Sequence, residues 1–255
     1  MGRTGDFAGT AEVYRRARRG YPGELRDHLI ARRLVGPGSH VMDLGAGTGQ
    51  LSLLLAAAVE HVTAVEPEPD MVRVGREATG GRPNVTWVQA RDRELAATFG
   101  ERTFDLVVIG NAFQHLDRES LLVDLEWLVR EGGGVAVCTS SVPVWLQDTP
   151  WAEALRIALR EQLGMRPGGA GVPDRDGDVA VLAASAFSDV EQWHLERRES
   201  RTVESIVGEV VSSTSGRVDQ CGAEALRVAL ESFADAGQVS EDVVTTALIA
   251  TRPEG

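Results

Sequence analysis

The stretch from Val41 to Ser52, Val-Met-Asp-Leu-Gly-Ala-Gly-Thr-Gly-Gln-Leu-Ser, constrains the fold more than any other part of this chain. An apolar run carrying Asp43 ends in a glycine-rich turn, and apolar residues at helical spacing follow. Strand, tight turn and helix in that order open a nucleotide-binding α/β unit. Gly45 and Gly47 are free to take positive φ and let the main chain approach a ligand. The amides that begin the next helix then face that ligand. His61 to Glu66 reads as a second strand ending in an acid, about 20 residues beyond the glycines, where a carboxylate accepts hydrogen bonds from both ribose hydroxyls. A dinucleotide is disfavoured. The pattern is G-x-G-x-G rather than G-x-G-x-x-G, and Asp43 would repel a pyrophosphate. The same carboxylate suits an amino-acid ammonium, directly or through water.

These residues resemble motif I of the class I S-adenosylmethionine-dependent methyltransferases, and the likeness runs from about Tyr14 to Ser140. The resemblance implies S-adenosyl-L-methionine as cofactor. It also implies a doubly wound, Rossmann-like α/β fold: a seven-stranded sheet with an antiparallel edge strand and a helical cap. Asp43, Gly45, Ala46, Gly47, Thr48, Glu66 and Pro67 would touch the cofactor, with Glu66 on its ribose. The run Tyr14-Arg15-Arg16-Ala17-Arg18-Arg19-Gly20-Tyr21-Pro22 is similar to the Y-x-x-x-R-P-x-Y-P entry of many small-molecule methyltransferases. By that likeness Arg18 would pair with the methionine carboxylate, which suits a guanidinium fork, and Tyr14 would cover it. Arg19 stands where the pattern has its first proline, a departure expected to loosen the turn.

Composition sets the remaining bounds. A chain of 255 residues can form one large α/β domain or a core with a small cap, and is long enough to bury a sizeable core. With 43% hydrophobic and 25% charged residues it falls in the soluble globular class. A formal charge of −12 argues against nucleic acid or an anionic membrane as partner. Every basic residue is Arg, which points to coding bias before function. Cys138 sits in an apolar strand pattern as a buried thiol, and two cysteines suggest no disulfide framework. Met1 to Ala11 lacks the apolar run of a signal peptide, and no stretch reaches the length of a membrane span. The expectation is a cytoplasmic monomer or homodimer with no metal, since no His, Cys, Asp or Glu cluster has ligand spacing.

Four segments follow: a lid and helices over 1–35, the cofactor-binding core over 36–141, a cap insertion over 142–184, and C-terminal core strands with inserted helices over 185–255. In the first, residues 1–12 are a lid edge or poorly ordered, and Glu24 to Leu34 has helical spacing. In the core, strands fall at 39–44, 61–66, 85–90, 104–110 and 135–139. Helices run to about Val59, to about Thr79, and from Asp117 to Arg130, where Gly132-Gly133-Gly134 ends the last. The cap carries a helix over about 152–163, a glycine-rich loop over 164–177 and a helix over 179–186. Strand six spans Val190 to Glu199, with Trp193 and His194 on opposite faces. Helices cover 202–213 and 223–236. Strand seven, Val243 to Ala250, makes the antiparallel edge pairing.

The remaining site residues follow from the resemblance and the topology. Met71 would lie against the adenine or fill the core. Asp92 would hold the adenine amine, one position later than usual because Arg91 takes the customary place; otherwise the backbone does so. Asn111 to Asp117 follows strand four, where such sheets bind ligands. His115 is the candidate general base, its ordinary pKa suiting proton transfer near neutrality; otherwise it orders the loop. Gln114, Trp145 and Trp151 are candidate substrate contacts, with Phe187 as a further apolar wall; otherwise the tryptophans pack cap to core. The expected activity is O- or N-methylation of a small molecule, of secondary-metabolite type. The alternatives are a protein of this fold that binds the cofactor but catalyses another reaction or serves as a binding module, and an NAD(P)-dependent oxidoreductase.

Overall fold

The computed structural model describes residues 9–140, 142–161, 163–165, 174–214 and 217–253. The expectations for residues 1–8, and for residues 166–173 of the glycine-rich loop, lie outside these. In chain order the elements are α1 (Ala11–Ala17), α2 (Gly23–Ala31), β1 (His40–Leu44), α3 (Gln50–Leu55), β2 (His61–Val65), α4 (Pro69–Thr79), β3 (Val85–Val88), α5 (Leu95–Thr98) and β4 (Phe104–Gly110). Then come α6 (Arg118–Leu128), β5 (Val129–Ser140), α7 (Pro150–Glu161), α8 (Arg175–Ala183), β6 (Asp189–Thr202), α9 (Val203–Ser213), α10 (Gln220–Glu231) and β7 (Gln238–Thr251). Short 3-10 turns at Asp92–Glu94, Phe113–His115 and Val144–Leu146 fill the connections.

The strands form one seven-stranded sheet in the order β3-β2-β1-β4-β5-β7-β6. β1 to β5 are parallel, and β7 runs antiparallel to both β5 and β6. The antiparallel pairing expected of strand seven is thus present, but β7 lies one place inside the edge and β6 is outermost. Both faces are covered, so the central strands bury apolar residues on each face rather than on one alone. Along β4, Val107 and Ile109 enter one core with Leu121, Leu122 and Leu125 of α6. Leu106 and Val108 enter the other with Leu25 and Leu29 of α2 and Leu51 and Leu55 of α3.

Several boundaries differ from the sequence expectations. β5 begins at Val129, which pairs with Phe104 before the register slips and pairing resumes at Leu106 with Gly134. The glycines expected only to end a helix form this bulge, with Gly132 at φ +76. α8 starts at Arg175, inside the expected loop, because Asp174 caps it by accepting from the Gly177 amide at 3.2 Å. Leu182 of α8 and the following Phe187 are buried against the sheet. α7 packs elsewhere, in a separate cluster with α9, α10 and Val239 of β7. β6 and β7 pair from Asp189–Thr251 to Thr202–Gln238, far beyond the end of β5, and this ribbon carries the α7, α9 and α10 cluster over the carboxyl ends of the parallel strands.

One packing contact near the glycine turn tests the account of the core. A Cβ on Gly75 of α4 would meet the Trp87 ring at 2.1 Å, and that ring is held by its indole N–H donating to Thr79 Oγ1 at 2.8 Å. Alanine in a helix gains up to about 1 kcal/mol over glycine, whereas overpacking a fixed ring costs roughly 1–3 kcal/mol or more. Gly75→Ala is therefore expected to lower stability by about 2 kcal/mol, read as a lower urea midpoint with unchanged slope. An unchanged or higher midpoint would show that the ring is free to move.

Candidate active site

The glycine turn is fastened to β2. The amides of Gly45 and Ala46 both donate to the Val65 carbonyl, at 2.9 and 3.1 Å. Gly45, Gly47 and Gly49 all have positive φ. A side chain on Gly45 would also meet Ala112 Cβ at 2.7 Å, so this turn tolerates glycine for reasons of both strain and space. Glu66, just past β2, accepts from the Gly47 amide at 2.9 Å and from the Glu68 amide at 3.0 Å. Burial raises its pKa, and those two amides oppose the shift.

Beneath the turn, Asp43 is 1% exposed and accepts from Ser52 Oγ at 2.6 Å. Burial pushes its carboxyl up to about 6; the Ser52 hydrogen bonds pull the other way and the charge of Glu66 adds to the rise. Cys138, also buried, is pushed up to about 12 and stays a thiol. At the end of β4, Asn111 takes a left-handed φ of 53. Its amide nitrogen donates to the Tyr21 hydroxyl at 2.9 Å, and its oxygen accepts from the Ser140 amide at 3.2 Å. That pair of bonds ties the N-terminal segment to the tips of β4 and β5.

A cleft opens above these residues. Asp43, Gly45, Ala46, Gly47 and Asn111 line its floor, Tyr14 and Arg18 one side, and Gln147, Arg201, Glu209 and Glu241 the far wall. The Arg18 guanidinium lies 5.0 Å from the Tyr14 ring centre and donates to Ser213 Oγ at 2.8 Å. Arg19 does not leave the turn loose: it pairs with Glu199 of β6 and Glu241 of β7. Arg201 pairs with Glu209 at 2.8 Å and donates to the Ala17 carbonyl at the end of α1. Two arginines thus moor the N-terminal segment onto the β6–β7 ribbon and α9.

Other residues singled out by sequence lie outside the cleft lining. Glu66 and Thr48 sit beside it in the turn, both buried. Pro67 follows directly in the loop to α4. Met71 is buried with Ala11, Val74 and Tyr14, where α1 meets α4. The amide of Arg91 donates to Glu94, and Asp92 opens a 3-10 turn at the end of β3. His115 is exposed on the turn after β4, and Gln114 donates to the Asn111 carbonyl at 3.1 Å. Trp145 and Trp151 are buried in the α7–α9–α10 cluster, the Trp151 indole donating to the Ser240 carbonyl at 3.0 Å. Both pack within that cluster rather than against either core of the sheet.

Sequence reasoning missed the far wall. A signal for Glu241 was present: it falls in phase with Val239, Val243 and Thr245, the inward residues of β7. Glu209 likewise shares a helix face with Ile206 and Val210. Nothing local marked Gln147.

A family model described as a methyltransferase domain matches residues 41–133. The chain is 25% identical over 177 residues to a ubiquinone/menaquinone biosynthesis C-methyltransferase of Rubrivivax gelatinosus, covering 64% of this chain and 68% of that protein. It is 27% identical over 193 residues to a malonyl-[acyl-carrier protein] O-methyltransferase of a Paenibacillus species, covering 72% and 68%. A solved Anaeromyxobacter dehalogenans structure assigned to the type II methyltransferases shares the fold, with a TM-score of 0.61 at 19% identity over 92% of this chain and 97% of that one. With its strand order, its glycine turn and the matched methyltransferase domain over residues 41–133, this chain is similar to the class I S-adenosylmethionine-dependent methyltransferases and shares their fold.

Proposed function

We propose that the enzyme methylates an oxygen or nitrogen of a small molecule, of the secondary-metabolite kind, held between the glycine turn and the far wall of the cleft. The lining of the cleft carries this reading. Leu51 and Val142 are its largest aliphatic residues, and most of the rest is polar or charged. A long isoprenoid chain such as a quinone tail would find no apolar channel there, whereas a compact polar acceptor would.

The residues present fit the cofactor. Glu66 is held by two amides in an orientation that leaves lone pairs for ribose hydroxyls. Asp43 offers a carboxylate for the ammonium, and Gly47 has no side chain to block a ligand. Arg18 Nε is buried and makes no hydrogen bond within the protein, so it is available to a carboxylate beside Tyr14. Ala46 and Thr48 would add main-chain contacts from the same turn, and Pro67 would border the ribose. We retain Met71, Arg91 and Asp92 as the adenine end of the site, and Asn111 as the bridge to the acceptor. S-adenosylmethionine supplies a methyl group on a sulfonium, already activated for displacement. The chain's task is to hold the nucleophile in line and keep water out. The mooring of α1 to α9 by Arg201 and Arg18 closes one side of the cleft for that purpose.

We assign His115 no proton in the reaction, because it stands exposed outside the cleft. His115→Ala is expected to keep its turnover, and a fall of about a hundredfold or more would restore it as the base.

Three outcomes test the rest. Incubation with methyl-labelled cofactor and a panel of small hydroxy and amino compounds should place label in a low-molecular-mass product; label only in protein or nucleic acid would contradict the reading. Glu66→Ala should weaken cofactor binding by more than about tenfold, since charged hydrogen bonds are lost; equal affinity by calorimetry would reject the ribose role. Asp43 must be ionised to hold an ammonium, and its carboxyl titrates near 6. Cofactor affinity should therefore rise with pH between about 5 and 7, by roughly tenfold per unit below about 6, with Asp43→Asn flattening the profile. The stability of the protein alone should move the other way. An acid whose pKa is raised from 3.8 contributes most below that value and loses its contribution as pH rises through about 6.

A further inference from the structure

Buried polar atoms without partners are rare in folded proteins, and a cluster of them marks a place where something else supplies the hydrogen bonds. Among the described residues, eight buried side-chain polar atoms make no hydrogen bond within the protein. Six of the eight belong to residues lining one cleft: Arg18 Nε, Gln50 Nε2, Ser140 Oγ, Gln147 Nε2 and Oε1, and Glu241 Oε2. The first three belong to the N-terminal segment, the start of α3 and the end of β5. The last three lie together on the far wall.

Gln147 is 6% exposed, and neither end of its amide is satisfied. Its position is nevertheless fixed. The Arg156 guanidinium reaches back from α7 and donates to the main-chain carbonyls of Trp145 and Gln147, at 2.9 and 3.0 Å. Burial raises the pKa of Glu241; Arg19, Arg201 and, least of all, the nearby Gln147 side chain oppose the rise, although Gln147 makes no hydrogen bond of ordinary geometry to it. Glu241 itself is 1% exposed; its Oε1 accepts from Arg19, and Oε2 faces Arg201 Nη1 only at 3.7 Å.

The charges of this wall are already matched. Arg19 faces Glu199 and Glu241, and Arg201 faces Glu209, Ser205 and the Ala17 carbonyl. No guanidinium there is left over for an anion. What remains open is two acceptors, Gln147 Oε1 and Glu241 Oε2, and one amide donor, Gln147 Nε2. An anionic group would offer no hydrogen to the acceptors and would sit against Glu241. A group with a donor beside an acceptor and no net charge answers all three.

We propose that Gln147 and Glu241 form the polar end of the acceptor subsite and select a methyl acceptor carrying an uncharged donor–acceptor pair of the carboxamide kind. This rests on the reading of the cleft as a small-molecule site above a bound cofactor, and it adds the chemistry of the group recognised. Specificity of this type is strong because a ligand lacking the pair leaves buried groups unsatisfied.

The test uses the full chain saturated with S-adenosylhomocysteine, and three fragments: 2-hydroxybenzamide, its acid 2-hydroxybenzoate, and cumene as an apolar control. Binding is followed by ligand-observed NMR titration for the wild type and Gln147→Leu. The wild type should bind the amide saturably, and at least tenfold more tightly than the acid or cumene. Gln147→Leu should lose that preference while keeping its affinity for S-adenosylhomocysteine, which shows that the variant is folded. The proposal is overturned if the wild type fails to bind the amide, or if acid and amide bind alike. It also fails if the leucine variant keeps the preference. Failure of the wild type to bind S-adenosylhomocysteine would instead strike the cofactor reading, and the subsite with it. Fragment results with that ligand bound bear on the subsite alone.

Discussion

The carboxylate of Glu66 holds two loops in one geometry. One oxygen accepts from the Gly47 amide and the other from the Glu68 amide. The glycine turn after β1 and the loop after β2 are thereby locked to each other, and the Val65 carbonyl takes the Gly45 and Ala46 amides just beneath. With these bonds in place, a stretch of main chain with three left-handed glycines is rigid rather than floppy. A binding surface made of backbone needs this, because backbone cannot be selected by side-chain rotamer. Asp43 sits below the same turn at a cost: burial pushes its carboxyl up to about 6, and a cation beside it would favour its charge.

The parallel half of the fold was legible because its signals are local. β2 and β4 run over residues that are mostly apolar, with Leu106 to Ile109 an unbroken run in β4, and each strand is followed by an acid or a turn. Where long-range pairing decides, the reading faltered. Val129 counts as strand only because Phe104 lies beside it. The overhang of β6 and β7 extends to Thr202 and Gln238 because the two strands satisfy one another, not because either is strongly apolar. The expected loop gave way to α8 at the point where Asp174 supplies a cap.

The same division runs through the site. Asp43, Glu66 and the glycines stand in one short motif and could be read off together. The far wall is assembled from residues about two hundred positions apart, as in the pairing of Arg19 with Glu241. Arg19 replaces a proline that would have stiffened the turn locally, and the ribbon supplies the restraint instead. Trp145 and Trp151, conspicuous in sequence, serve the interior of the α7–α9–α10 cluster. The inconspicuous Gln147 between them faces the cleft. An amide side chain carries no periodicity, and only its surroundings reveal that it lacks a partner.

The arrangement stands or falls on where the cofactor lies. A crystal structure of the chain grown with S-adenosylhomocysteine measures this directly. The account predicts ribose hydroxyls within hydrogen-bond distance of Glu66, the amino group over Asp43, and the homocysteine chain passing across Gly45 and Gly47 toward Arg18. Density for the ligand on the other side of the sheet, or with its ribose away from Glu66, would contradict it.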